Sequence, residues 1–552
     1  MLMPNQKKKL NMMKKSNKRS YNIITVFNEA LENSMSILHS QLLLIILSLL
    51  IVMMFCFQMG CDNLGTSKSY YKELYRPQFH FTPEKNWMND HNGLVFFEGE
   101  YHLFYQYNPF GINWGHMSWG HAVSEDLVHW DHLPVALNEE DGIMIFSGSA
   151  VVDWKNKSRF GRNGQPPLVA IYTGHRSSNQ NQSQCIAYSN YEGRSWTKYK
   201  GNPVLQNPGT KDFRDPKVIW YEETNKWIMS LAVGNYVNFY SSPDLKKWEF
   251  ESEFGSGEGA HGGVWECPDL FPLRINGENT QKWVLLVSMN PGGPNGGSAT
   301  QYFVGDFNGH KFTNELKQIR WIDYGKDNYA GVTWSDIPDE DGRRIFIGWM
   351  NNWQYAQTVP TNPWRSSQTI PRELELKTYS EGIWIVQSPV KELRKIRDKH
   401  YNFKNKYVGN INEELSANGI SGSTLEIIIE FDLADASEFG IKVRKGENEE
   451  TIVGYDDQSQ KLYVDRVHSG KVDFHPAFPG VHSAYLPSEL NKVKLHIFID
   501  WSSIEVFGND GQVVITDLIF PSCKSNGIEL YSKGEIAKIE SLDIWKLKSI
   551  WK

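Results

Sequence analysis

Short apolar runs recur along much of the chain at a nearly constant interval: His102-Leu-Phe-Tyr105, Val169-Ala-Ile-Tyr172, Lys226-Trp-Ile-Met229, Lys282-Trp-Val-Leu285 and Arg344-Ile-Phe-Ile347. They stand roughly 55 to 65 residues apart, with Gly, Pro and Asn between them and almost no 3.6-residue periodicity, which reads as strand rather than helix. A second element repeats in phase. Ser124-Glu-Asp-Leu-Val-His-Trp130, Ser189-Asn-Tyr-Glu-Gly-Arg-Ser-Trp196 and Ser242-Pro-Asp-Leu-Lys-Lys-Trp248 each set a polar turn before a Trp, as a hairpin turn with a Trp pinning an outer strand would. Because a single four-stranded unit cannot bury both of its faces, such units stack on their neighbours. The spacing therefore predicts a five-bladed β-propeller over residues 75–392. Residues 393–415 are polar and Lys-rich and read as a linker with some helical tendency. Beyond them, Leu425-Glu-Ile-Ile-Ile-Glu-Phe431, Lys494-Leu-His-Ile-Phe-Ile-Asp500 and Ser503-Ile-Glu-Val-Phe507 alternate at period two. That pattern predicts an antiparallel β-sandwich over residues 416–552. The expected fold class is all-β.

The N-terminus has a different texture. Residues 1–35 hold seven Lys or Arg and two acids, and from Leu42 to Phe57 Ser48 alone is frankly polar. A basic stretch followed by a 16-residue apolar run is too short for a typical span and resembles an export signal. Gly60-Cys61 is similar to the end of a bacterial lipobox, with Gln58 a departure from the usual aliphatic residue. Residues 1–61 are therefore expected to export the chain, leaving it secreted, lipid-anchored through Cys61, or held at the membrane by an uncleaved apolar segment. Composition adds to this picture. The chain has 57 basic and 64 acidic groups, a net charge of −7, and the first 60 residues hold seven of the former and two of the latter. The exported part carries 50 against 62, or −12, which argues against nucleic acid as a partner. A 40% hydrophobic and 22% charged composition excludes a disordered or polytopic membrane chain. Beyond the export segment the cysteines are Cys185, Cys267 and Cys523, without paired spacing, so neither a disulfide framework nor a structural zinc site is expected.

Inner strands of a propeller converge on one axis, so equivalent positions of different blades meet there. Three carboxylates stand at about the blade interval: Asp90 in Trp87-Met-Asn-Asp-His-Asn-Gly93, Asp215 in Phe213-Arg-Asp-Pro216, and Glu266 in Trp265-Glu-Cys-Pro-Asp269. Cleaving a glycosidic bond through an oxocarbenium-like transition state needs one carboxylate at the anomeric carbon and one carboxylic acid at the leaving oxygen. Asp90, among side-chain amides, suits the ionised role. Glu266, between Trp265 and Cys267, suits a desolvated acid with a raised pKa. Arg214 is expected to keep Asp215 charged. Asp-Pro and Asn-Gly turns are common in β proteins and explain any one of these sites as structure; three in phase are harder to explain so.

Together these motifs resemble those of glycoside hydrolase family 32, the invertases, exo-inulinases and levanases. Phe104-Tyr-Gln-Tyr-Asn-Pro109, Phe146-Ser-Gly-Ser149, Asp323-Tyr-Gly-Lys-Asp-Asn-Tyr-Ala-Gly331 and Gly348-Trp-Met-Asn-Asn-Trp353 are similar to further segments of the family, in order, from about Tyr75 to the C-terminus. The resemblance implies a five-bladed propeller with a C-terminal β-sandwich. It implies that Asp90 is a nucleophile forming a fructosyl-enzyme, Glu266 the acid and base, and Asp215 a transition-state stabiliser. It implies that Trp87, Asn89, Gln106, Trp114, Phe146, Ser147, Arg214 and Trp349 line the fructose pocket, with no cofactor or metal. The substrate expected is a fructan or sucrose. A sucrose-preferring invertase and a fructosyltransferase remain alternatives, and a sialidase-like propeller or a non-catalytic sugar-binding protein is more remote. His91 stands where the family usually has Pro, which would loosen the turn after Asp90 or add a titratable neighbour. Cys267 is expected to be a packed thiol that tunes Glu266. Asp336-Ile-Pro-Asp-Glu-Asp-Gly342 reads as an acidic hairpin turn rather than a calcium loop.

Overall fold

The structure is a computed structural model and describes residues 70–433, 436–488 and 491–551, so the export segment and Cys61 lie outside the described residues. Five mainly antiparallel sheets are built in chain order, each from a strand that bears part of the site, the first also taking the short strand Trp364–Arg365 in parallel. These inner strands are β1 (Asn86–Phe97), β2 (Ile143–Val152), β3 (Phe213–Tyr221), β4 (Val264–Arg274) and β5 (Tyr329–Thr333). Each packs on the next and β5 packs back on β1, closing a ring. The five apolar repeats of the sequence all fall in second strands, Glu100–Asn108, Leu168–Arg176, Lys226–Val233, Gln281–Asn290 and Arg344–Met350, each sandwiched in its sheet between an inner and an outer strand. Mid-sheet strands are buried on both faces, which is why these runs are continuously apolar.

The Ser-to-Trp segments join the third and fourth strands of blades 1, 2 and 3. In blade 1, Asp126 Oδ1 accepts from the backbone N–H groups of Val128 (3.1 Å) and His129 (2.9 Å), and Ser124 Oγ accepts from Asp126 N (3.1 Å). Asp244 repeats the arrangement with Lys246 and Lys247. Leu127 and Leu245 both sit at φ 63°, a left-handed conformation that these side-chain caps hold in place.

Two further sheets form the C-terminal sandwich, one of six strands and one of five. Alternate residues of Leu425–Asp432 (Ile427, Ile429, Phe431) point into its core, and the Phe431 and Phe439 rings meet there at 3.9 Å. The segment read as a linker is a correction. Lys391–Ile396 is a 3-10 helix, Arg397–Tyr407 is a strand paired with Lys538–Leu547, and Val408–Ala417 is an α-helix that buries Ile411 and Leu415 in the sandwich core. Its polarity reflects an edge strand, which shows one flank to water and keeps few apolar residues.

Propeller and sandwich belong to one compact unit. Buried charges cross between them. Arg372 reaches Glu505 (2.5 Å), Asp323 beside Arg372 accepts from Thr516 N (2.9 Å), Arg466 reaches Asp327 (2.5 Å), and the His80 ring lies between Asp500 (2.8 Å) and Glu505 (2.9 Å). Asp323 and Asp327 come from the Asp323-to-Gly331 segment, so half of that motif serves this seam. Among the described residues, no helix is long and apolar enough to cross a membrane.

Candidate active site

Each inner strand delivers one side chain to the same end of the ring: Asp90 from β1, Ser147 from β2, Asp215 from β3, Glu266 from β4 and Tyr329 from β5. Each ladder also loses register at that residue. The shifts fall between Met88 and His91, Ile145 and Gly148, Glu266 and Asp269, and Tyr329 and Val332, and opposite Asp215 between Ser230 and Ala232. A bulge re-aims a side chain that regular alternation would send elsewhere. Pro216 and Pro268 donate nothing to a ladder, and Asp215 (φ 64°), Cys267 (φ 46°) and Ala330 (φ 55°) take left-handed backbone. Gly148 is needed beside Ser147, because a Cβ there would stand 2.0 Å from the Ile171 carbonyl oxygen.

A pocket of ≈ 300 Å³ opens over these groups. Asp90 Oδ1 accepts from Asn89 Nδ2 (3.0 Å) and Oδ2 from Ser147 Oγ (2.8 Å), while Asn89 Oδ1 is itself fixed by Trp87 Nε1 (2.7 Å). Asp215 Oδ2 accepts from Cys267 N (3.1 Å). Glu266 is not held in an apolar slot. Its Oε1 accepts from Arg214 Nη2 (2.8 Å) and its Oε2 from the Tyr329 hydroxyl. Arg214 divides itself between Glu266 and Asp212 (2.6 Å), leaving Asp215 at 3.8 Å. Three carboxyls thus share one guanidinium, and Asp90 has none. Burial pushes the Asp90 carboxyl above its ordinary range, with the Glu266 charge adding to the effect and Asn89 and Ser147 opposing it. Asp215 is pushed up as well, by burial first; Arg214 opposes this, but the charges of Glu266 and Asp90 add to it. The expectation that Arg214 would keep Asp215 charged is corrected: burial outweighs the arginine, which is also shared with Asp212 and Glu266.

Of the pocket residues expected from the sequence, Asn89, Gln106, Trp114, Phe146, Ser147 and Arg214 line it with the three carboxyls. Trp87 and Trp349 do not. Both are fully buried and pack behind the wall against Trp353, at 5.9 and 4.9 Å between ring centroids, and it is Trp353 that reaches the pocket. Trp349 is the last residue but one of its strand with its ring turned into the core, whereas Trp353 lies in the turn that follows. Sequence reasoning also missed Asp212, His175, Gln180 and Gln182, which line the pocket, and Tyr329, which grips Glu266. Trp353 and Tyr329 lie inside segments quoted for the resemblance; the others carried no signal of their own.

Two neighbours differ from expectation. The Cys267 thiol faces Asp90 and Asp215, 3.7 Å from a carboxylate oxygen of each, and burial with these charges keeps it well above the usual thiol range. His91 is buried and takes no charge near neutrality, since burial draws it down to about 3. Its Nε2 accepts from Val332 N (3.2 Å), so Nδ1 donates to Gln368 Oε1 (2.9 Å), and Gln368 Nε2 donates to the Asn89 carbonyl (3.1 Å). His91 therefore ties the turn rather than loosening it.

A carboxyl cluster at one mouth of a five-bladed propeller, facing a pocket of single-sugar size, defines a glycoside hydrolase of the two-carboxylate kind. Residues 80–389 match the model described as Glycosyl hydrolases family 32 N-terminal domain, and residues 390–546 the one described as Glycosyl hydrolases family 32 C terminal. The chain belongs to glycosyl hydrolase family 32. It is 56% identical to the levanase of Bacillus subtilis over 493 residues, covering 88% of this chain and 72% of that one. It is 42% identical to the extracellular exo-inulinase of Aspergillus awamori, covering 87% and 96%. The crystal structure of exo-inulinase from that fungus superposes with a TM-score of 0.81 at 40% identity, covering 88% of this chain and all of that one. The β-fructofuranosidase of Schwanniomyces occidentalis complexed with fructosyl-erythritol gives 0.78 at 34%, covering 87% and 99%.

Proposed function

We propose that the protein is a retaining β-fructosidase that removes terminal β-D-fructofuranosyl units from levan or inulin and also cleaves sucrose. The observation that carries this reading is the dead-end pocket. It has room for about one sugar, and two residues further along the Asp215 strand the buried Lys217 lies 3.3 Å from Asp269 and donates to the Thr333 carbonyl (2.5 Å), which we read as closing the axis beneath it. A chain end fits such a pocket and a chain middle does not.

In this reading Asp90 attacks the anomeric carbon of the bound fructosyl unit while Glu266 protonates the departing oxygen, giving a covalent fructosyl-enzyme. Glu266, now a carboxylate, takes a proton from water, the water oxygen bonds to the anomeric carbon, and Asp90 leaves. Asn89 and Ser147 hold the Asp90 carboxylate in line. Arg214 and Tyr329 fix the rotamer of Glu266, and Asp215 accepts hydrogen bonds from fructose hydroxyls that strengthen as charge develops. Asp90→Ala and Glu266→Ala should each cut fructose release by at least a thousandfold, with thermal unfolding unchanged. Free fructose as the sole early product from levan and inulin agrees with attack at chain ends. Early oligosaccharides overturn the exo reading, and near-normal turnover in either variant overturns the assignment.

We further infer that the enzyme works outside the cytoplasm. Its basic and apolar N-terminus supports this, as does the word extracellular in the names of the Aspergillus relatives. Attachment through lipid on Cys61 is the finer reading. Cys61→Ala should then shift the enzyme from the cell membrane fraction to the medium; an unchanged distribution in a cell fractionation overturns the anchor.

A further inference from the structure

We propose that the opposite mouth of the propeller is a second carbohydrate site, which takes a neutral oligosaccharide segment and, on the fructosidase reading above, a stretch of the polymeric substrate. The inner strands carry their catalytic residues near their N-terminal ends. The other parts of β2, β3 and β4, with the segment after β5, enclose a cavity of ≈ 590 Å³, about twice the size of the catalytic pocket and sharing no lining residue with it. The buried Lys217–Asp269 pair forms the floor on this side, so the two cavities are separate.

The rim presents an aromatic platform held in one orientation. Trp154 is 59% exposed, yet its Nε1 donates to Asp336 Oδ1 (2.9 Å), and Asp336 Oδ2 accepts from Val152 N (3.0 Å). Asp336 is half-buried and sits at φ 59°, a conformation the surrounding backbone must sustain. An exposed indole gripped in this way loses little freedom when a ligand stacks on it. The part-buried rings of Trp220 and Trp283 line the same cavity. Polar atoms accompany them. Asp269 Oδ1, Ser335 Oγ and Trp227 Nε1, all on lining residues at most 9% exposed, have no hydrogen-bond partner within the protein, and buried polar atoms in that state are uncommon.

Charge selects the ligand class. Lys217 is consumed by Asp269 and Lys155 by Glu222 (2.7 Å), which leaves Arg344 against Asp336 and Asp339. With no surplus of positive charge the cavity does not suit a phosphate or a polyanion. Aromatic faces edged by paired donors and acceptors suit the apolar faces and hydroxyls of an uncharged sugar.

The test uses the full chain with Asp90→Ala, so that polymer is not consumed, run in native gels cast with levan or inulin. Retardation of Asp90→Ala in at least one gel is expected, with the apparent affinity falling at least fivefold in Asp90→Ala/Trp154→Ala and retained in Asp90→Ala/Trp154→Phe. In the otherwise wild-type enzyme, Trp154→Ala should leave kcat/KM on sucrose unchanged and raise KM on long fructan about threefold or more. Equal retardation with and without Trp154, or retardation of no variant in any gel, overturns the site. Failure of the fructosidase reading is seen separately, as no fructose release by the parent enzyme. In that case gels cast with other neutral polysaccharides decide the site by the same Trp154 comparison.

Discussion

Asp90 illustrates how a single carboxylate is prepared by its neighbours. Burial and the Glu266 charge favour its protonated form, while the hydrogen bonds from Asn89 and Ser147 favour the ionised form needed for attack. Removing one of those donors tips the balance. Ser147→Ala should raise the Asp90 pKa further, so the acid limb of the kcat/KM profile moves to higher pH, and the optimum value should fall at least about tenfold, given the roughly 1.5–3 kcal/mol of a hydrogen bond to a charged group. A pH–rate profile checks it, and an unmoved acid limb contradicts it. The three carboxyls were legible because each sits in a short motif at the blade interval. The roles of Trp349 and Trp353 were not. Two Trp residues four apart look alike in a sequence, and only the place where the strand ends and the turn begins decides which ring faces the core.

At the scale of elements, the motifs that announce chemistry also announce geometry. Arg-Asp-Pro and Glu-Cys-Pro place a Pro where the ladder breaks, so the residue before or near it is swung into the pocket. The polar turns before Trp130 and Trp248 are a second legible device. Asp126 is buried in part, which works against its charge, yet the N–H groups of His129 and Val128 and the Lys395 ammonium hold its carboxyl below the usual range. Asp126→Ala should therefore cost about 1–2 kcal/mol, from backbone donors left without their acceptor, read by denaturant unfolding. No measurable change would mean that water replaces the cap. The segment 393–415 was misread for a physical reason. An edge strand that is mostly polar has little apolar pattern, and its partner Lys538–Leu547 lies more than a hundred residues away, beyond the reach of any local reading.

At the scale of the whole molecule, the seam between propeller and sandwich is a set of buried ions that no periodicity reveals, since its members come from distant turns. His80 is its titratable part. Burial opposes its charge, but the hydrogen bonds to Asp500 and Glu505 prevail and lift it from 6.5 to about 9. An unfolded chain would bind that proton only below 6.5. The stabilisation, roughly 3 kcal/mol, is therefore complete below pH 6.5 and is lost as pH climbs through 9. Calorimetry across pH 6 to 10 should find this decline in the wild type and a flatter profile in His80→Gln. Equal slopes would remove His80 as the cause.

The filled channel beneath the catalytic pocket also governs traffic. With Lys217, Asp269 and Thr333 closing the axis, fructose in the proposed reaction must leave by the mouth through which the polymer end entered. The remaining chain has to withdraw before each product departs and then present its new end, so a polymer cannot thread through the ring. Shortening then proceeds one unit per encounter, across the whole population of chains, unless something outside the pocket keeps the same chain close at hand.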